Sequence, residues 1–152
     1  MTGVVRILVD ADACPVKDEI YKVAWRHEVP VTIVSNSRIR IPEHALIDRI
    51  VVGDGFDAAD DWIAEASGAT SIVITSDILL ADRCLKVGAT VIAATGKPFT
   101  TSSIGAAIAT RAIMADLRAG GAQIGGPAPF SKTDRSQFLQ ALDRAVVQLR
   151  RR

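Results

Sequence analysis

The chain has 152 residues, 49% of them hydrophobic and 23% charged, which is enough for one domain with a sizeable core and excludes an intrinsically disordered segment. Eighteen basic residues against seventeen acidic leave a net charge of +1, so a protein that coats nucleic acid through charge alone is excluded as well. The distribution is uneven, with ten basic and fourteen acidic groups in residues 1–110 and eight and three in the remainder.

Seven aromatic residues are too few to fill the interior, so the core must be aliphatic and alanine-rich. The apolar runs 4–9 and 104–114 are broken by Arg6 and Arg111 and are too short to span a bilayer or serve as a signal segment. Cys14 and Cys84 cannot make a disulfide framework and lack the spacing of a zinc site. A cytoplasmic protein is expected. Thirteen of the seventeen acids are Asp, a residue suited to caps, turns and metal ligation rather than to helix surfaces.

In chain order, the aliphatic run 4–9 ending at Asp10 predicts a strand buried on both faces of a parallel sheet. Pro15 suits a first helical turn, and Val16, Ile20, Val23 and Ala24 repeat at helical spacing up to about His27. Strands are expected at 31–34 and 47–52, a helix near 58–66 stopped by Gly68, and a strand at 72–75. A helix near 78–87 stopped by Gly88 and a strand at 90–93 follow. Strands separated by single helices imply a doubly wound, mostly parallel α/β sheet in one three-layer domain. Beyond Thr95 no strand pattern is visible. Helices near 103–119 and 134–151, flanking a loop at 120–132, complete the domain.

In open parallel sheets the ligand site lies beyond the carboxyl ends of the strands. Those ends read Asp10-Ala11-Asp12, Ser35-Asn36-Ser37, Gly53-Asp54-Gly55-Phe56-Asp57, Thr75-Ser76-Asp77 and Thr95-Gly96-Lys97. At least four carboxylates should therefore meet on one rim, where like charges repel by several kcal/mol unless protons or a cation neutralise them. Oxygen ligands with few nearby His or Cys point to Mg²⁺ or Mn²⁺ and a phosphoester substrate. A plainer account has Asp12, Asp57, Asp60 and Asp77 capping helices or lining their first turns. Asp10, at the end of a buried strand, is harder to explain that way. Asp57 and Asp61 form an i,i+4 like-charge pair that costs an isolated helix about 0.2–0.5 kcal/mol, and a cation would account for its tolerance.

The runs Val9-Asp10-Ala11-Asp12-Ala13-Cys14-Pro15-Val16-Lys17, Gly55-Phe56-Asp57-Ala58-Ala59-Asp60-Asp61-Trp62-Ile63, Ile72-Val73-Ile74-Thr75-Ser76-Asp77-Ile78-Leu79-Leu80-Ala81 and Gly125-Gly126-Pro127-Ala128-Pro129-Phe130 with Asp134-Arg135 resemble the YaiI/YqxD family, which is functionally uncharacterised. More distantly the chain is similar to PIN-like and NYN-type domains, which are metal-dependent ribonucleases. That resemblance implies catalytic roles for Asp10, Asp57 and Asp77, with Asp12, Asp54 and Asp60 as further metal ligands. It departs from the NYN-type pattern at Leu79, where a second Asp often stands, and this removes a ligand from any second metal.

The implied chemistry is hydrolysis of a phosphodiester by a metal-activated water, without a covalent nucleophile. Ser35, Asn36, Thr75 and Ser76 are placed to bond the water or a phosphate oxygen, or simply their own loops. Arg38, Arg40, Lys97, Arg111, Arg118 and Lys132 are candidates to hold the backbone of a single-stranded RNA. The scarcity of aromatics leaves little for base stacking. Cys14 reads as a packed residue, and the Gly125-Gly126-Pro127 loop as a tight link or a donor of amides to phosphate. Two other functions share part of the pattern. A receiver-type phosphoacceptor module would use Asp10, Asp12, Asp54, Thr75 and Lys97, and a haloacid-dehalogenase-like phosphatase would use Asp10 as nucleophile. The sequence does not decide between a monomer and a homo-oligomer.

Overall fold

The computed structural model describes residues 4–12, 14–55, 57–121 and 130–151. Six strands, β1 (Arg6–Asp10), β2 (Val31–Ser35), β3 (Ile47–Val51), β4 (Ser71–Ile74), β5 (Thr90–Ile92) and β6 (Pro98–Phe99), form one sheet in the order β3-β2-β1-β4-β5-β6. The first five pair in parallel, and β6 runs antiparallel to β5. The five helices are α1 (Lys17–His27), α2 (Ala58–Ala66), α3 (Ile78–Lys86), α4 (Ile104–Ala119) and α5 (Lys132–Arg150). The expected α/β architecture with two carboxyl-terminal helices is what the chain adopts. Among the described residues, no helix is long and apolar enough to cross a membrane.

Alternation along the central strands divides the core into two layers. Ile7 and Val9 of β1 face one way, with Ile20, Val23 and Ala24 of α1 and Phe138, Leu142 and Val146 of α5. Leu8 faces the other, with Ile63 of α2, Leu80, Ala81 and Cys84 of α3, and Ile104 of α4. Because both faces are covered, the strands read as continuous aliphatic runs, the feature that made them visible in the sequence.

The first layer is stapled by polar contacts. Ser131 and Asp134 close a capping box at the start of α5. Arg135 then reaches the buried Glu19 at 3.0 Å and the carbonyl of Pro15 at 2.7 Å, with its guanidinium over the ring of Phe130. At the other end His27 meets Asp143 at 2.6 Å, so this histidine ties α1 to α5.

Two features differ from the sequence reading, and a third, the β2–β3 link, is one that it left undescribed. Pro15 lies in the turn before α1, which begins at Lys17. No helix joins β2 to β3. Residues 36–46 make that crossover as a loop, whose Ile39 and Ile41 pack on the core where a helix would otherwise cover it. Finally, β6 arises from a tight hairpin in which the Ala93 N–H donates to the Lys97 carbonyl and the Gly96 N–H to that of Ala93, each at 2.9 Å.

Gly96 has φ +87°, and a Cβ there would lie 2.7 Å from the backbone of Gln137 in α5. Both the left-handed conformation and the close approach exclude other residues. Gly96→Ala is therefore expected to cost more than about 1–2 kcal/mol, read as a fall in the urea midpoint with unchanged slope.

Candidate functional site

The strand order reverses between β1 and β4, and in open α/β sheets the crevice at such a reversal is where ligands bind. Here Asp10, the last residue of β1, and Thr75, the first residue past β4, face each other across that crevice. The Thr75 hydroxyl, almost fully buried, donates to Asp10 Oδ2 at 2.8 Å and accepts the N–H of Asp77 at 3.0 Å. Thr75 thus orients two carboxylates at once.

Beyond this pair opens a cleft of about 500 Å³ lined by Asp10, Asp12, Asp57, Asp60 and Asp77 together with Asn36, Arg83 and Arg111. Each acid is held differently. Asp77 caps α3, its Oδ1 accepting the N–H groups of Leu79 at 2.9 Å and Leu80 at 3.2 Å. Asp12 does not cap α1. Its carboxylate takes the N–H of Asn36 at 2.9 Å and so ties the loop after β1 to the loop after β2. Asn36 in turn donates to the Gly53 carbonyl at 3.1 Å, linking the third loop. Asp57 occupies the N-cap position of α2 without a side-chain capping bond, and Asp60 lies one turn along the same helix.

Electrostatics ties these groups into one unit. Burial pushes the Asp10 carboxyl up from its usual value, the Thr75 hydrogen bond acts the other way, and the charges of Asp77 and Asp12 push it up further. Burial also raises Asp60, aided by Asp77, Asp10 and Asp57 and opposed by Arg83, to about 6.

Several expected site residues lie elsewhere. Asp54 and Arg38 are exposed and outside the cleft. Ser35 is buried, and its hydroxyl bonds the Ser37 carbonyl. Ser76 lines a small recess behind Asp10 with Cys14 and Ala94, and Lys97 lies in the exposed β5–β6 hairpin, outside the cleft. The like-charge pair Asp57/Asp61 is relieved by Arg83 of α3, which bonds Asp61 at 2.9 Å, so no cation is needed there. Cys14 is raised by burial, the reverse of an activated thiolate. The Gly125-Gly126-Pro127 loop lies outside the described residues. Arg83 was not foreseen, because its partner stands 22 positions away. Its spacing of three and four from Leu80 and Leu79, which also line the cleft, is the only local signal.

Raised carboxyls have a defined consequence for stability. Below about pH 4 Asp60 is protonated in both folded and unfolded chains and costs nothing. As pH rises from there toward and past about 6 the unfolded chain releases its proton first, so stability falls. Asp60→Asn should flatten this decline and raise the melting temperature at neutral pH. Thermal scans between pH 4 and 8 in chelator provide the check. Thr75→Val, nearly isosteric, should raise the Asp10 pKa further and cost about 1–3 kcal/mol, measured by NMR titration and urea unfolding.

The family model described as the uncharacterised YaiI/YqxD family matches residues 8–148. A UPF0178 protein of Sphingopyxis alaskensis is 72% identical over 146 residues, 95% of each chain. Another, from Nitrobacter winogradskyi, is 60% identical over 147 residues, 97% of this chain and 94% of its own. No solved structure matches the chain. With matches that span nearly its whole length, the chain belongs to the YaiI/YqxD family.

Proposed function

We propose that the cleft is the active site of a divalent-metal-dependent phosphodiesterase acting on RNA. The observation that carries this reading is the convergence of five carboxylates on the crevice where the strand order reverses. A protein that only needed helix caps would not place Asp10 there, at the end of its central strand, and accept the cost seen in its raised carboxyl. Three of the five, Asp10, Asp57 and Asp77, are the residues that the resemblance to PIN-like and NYN-type ribonucleases implies.

Among the described residues, no three His, Cys, Asp or Glu side chains stand close enough to cage a metal ion. The donor set instead fits Mg²⁺ or Mn²⁺ in its usual manner, with one or two carboxylates, retained waters and a substrate phosphate. Asp10 and Asp77, both fixed by Thr75, are the residues that would hold it. When bound, such an ion acidifies a water and stabilises charge on the phosphoryl oxygens. The chain's own contributions are positional and acid–base. Asp12 and Asn36 join the loops that shape the cleft floor. Asp60, on the wall of the same cleft, is placed to accept a proton from an attacking water.

The receiver alternative is less well served. Receiver modules share a strand order in which the first strand lies between the second and third, whereas β1 here lies between β2 and β4. Its phosphoacceptor, Asp54, and its lysine, Lys97, are both outside the cleft. The phosphatase alternative gives no role to Asp57 or Asp60.

Incubation with single-stranded RNA and Mn²⁺ should give cleavage that falls at least about a hundredfold in Asp10→Asn and Asp77→Asn. Asn can still cap α3, so Asp77→Asn removes charge without unfolding the turn. Cleavage that survives both substitutions, or calorimetry showing no Mn²⁺ uptake, would overturn the reading. Labelling of Asp54 by acetyl phosphate would favour the receiver instead, and rapid turnover of a simple phosphomonoester the phosphatase.

A further inference from the structure

Of the cations that the sequence offered for holding a phosphate, the fold brings Arg111 into the acidic cleft. It shares a face of α4 with Ile104 and Ile108, at helical spacings of seven and three. Ile104 is buried and Ile108 packs on the layer that contains Leu80 and Ala81, so this face is turned toward α3. Arg111 emerges one turn past that apolar contact.

Its surroundings set it apart from Arg83. Arg83 lines the same cleft but is ion-paired with Asp61. Arg111 makes no ion pair with any carboxylate among the described residues. A guanidinium and five carboxylates thus share a cleft of about 500 Å³, and none of those carboxylates has closed onto the guanidinium. Opposite charges held apart in one cleft suit a ligand that carries the complement of both, an anion toward the arginine and a cation toward the acids.

We infer that Arg111 is a positioning residue that binds a non-bridging phosphate oxygen of the RNA, an inference that rests on the phosphodiesterase reading above. The planar fork of a guanidinium matches two phosphate oxygens, which a lysine cannot do. The contact also has a mechanical side. Only Ile104 of the sixteen residues of α4 is buried, so the helix is thinly attached to the domain. RNA bridging Arg111 to the acidic wall fastens it, and amide exchange in α4 slows.

The test is anisotropy of a short fluorescein-labelled oligouridylate with the full chain in Ca²⁺, titrated over a range of KCl concentrations. Arg111→Gln is expected to weaken binding about tenfold and to lower the slope of log affinity against log salt by about one counterion. Arg111→Lys should recover the slope and only part of the affinity. Arg144→Gln, on α5 in the other layer and outside the cleft, should match wild type, and hydrogen exchange should show α4 protected by the oligomer in wild type but not in Arg111→Gln. Wild-type affinity and slope in Arg111→Gln overturn the inference alone, as does an equal loss in Arg144→Gln, which would mark diffuse charge. A wild-type chain that binds no RNA overturns the phosphodiesterase reading and this inference with it.

Discussion

The buried hydroxyl of Thr75 is the joint on which the cleft depends. β1 is central in the sheet, with β2 and β4 on either side, so a carboxylate at its end leaves the backbone ladder in a region already stripped of much of its water. A charge there is tolerable only with a donor fixed in place. Thr75 supplies that donor and at the same time accepts the N–H of Asp77, which sets the turn into α3. One side chain of modest size thereby couples the strand that presents Asp10 to the helix that presents Asp77.

The two layers of the domain divide the work. On one side α1 and α5 share a dense aliphatic core around Phe138 and Leu142, fully buried residues whose truncation to Ala costs about 2–5 kcal/mol in such settings. That side is also cross-linked at both ends, by Arg135 with Glu19 and by His27 with Asp143. On the other side α2, α3 and α4 carry Asp57, Asp60, Asp77, Arg83 and Arg111 into the cleft, and α4 buries only a single residue. Stability comes chiefly from the first layer, which frees the second to carry charges that packing alone would disfavour.

How much of this was legible in the sequence depends on how local each cause is. Strands β1, β2, β4 and β5 were readable because burial on both faces leaves a largely aliphatic run, a signal contained in each segment, whereas the edge strand β3 shows only Ile47, Ile50 and Val51 around Asp48 and Arg49. The convergence of Asp10, Asp57 and Asp77 followed from strand ends alone. What failed rests on distant partners. β6 exists because Gly96 folds against the backbone of Gln137, some forty positions on, and two residues carry no periodicity of their own. Asp61 looked like a strained neighbour of Asp57 until α3 brought Arg83 beside it. Capping of α1 was the plainer of two accounts of Asp12, yet Asn36 claims its oxygens from another strand's loop. The start of α5 is a different case, since Ser131 and Asp134 have the three-residue spacing of a capping box and the sequence could have revealed it.

Asp77 shows that a capping role and a ligand role need not compete. One of its oxygens, Oδ1, satisfies the first free N–H groups of α3. No such bond is made by Oδ2 among the described residues, and the side chain still lines the cleft. The same geometry recurs more loosely at α2, whose N-cap Asp57 and first-turn Asp60 lie on that wall. Two helix amino termini with their partial positive charge therefore border one cleft, and each favours negative charge within about a turn of its end. Those dipoles offset part of the repulsion among the acids, and they act equally on any anion that enters. A cleft lined by five aspartates and two arginines is thus balanced further by the backbone, which is how a phosphate can approach a wall of aspartates.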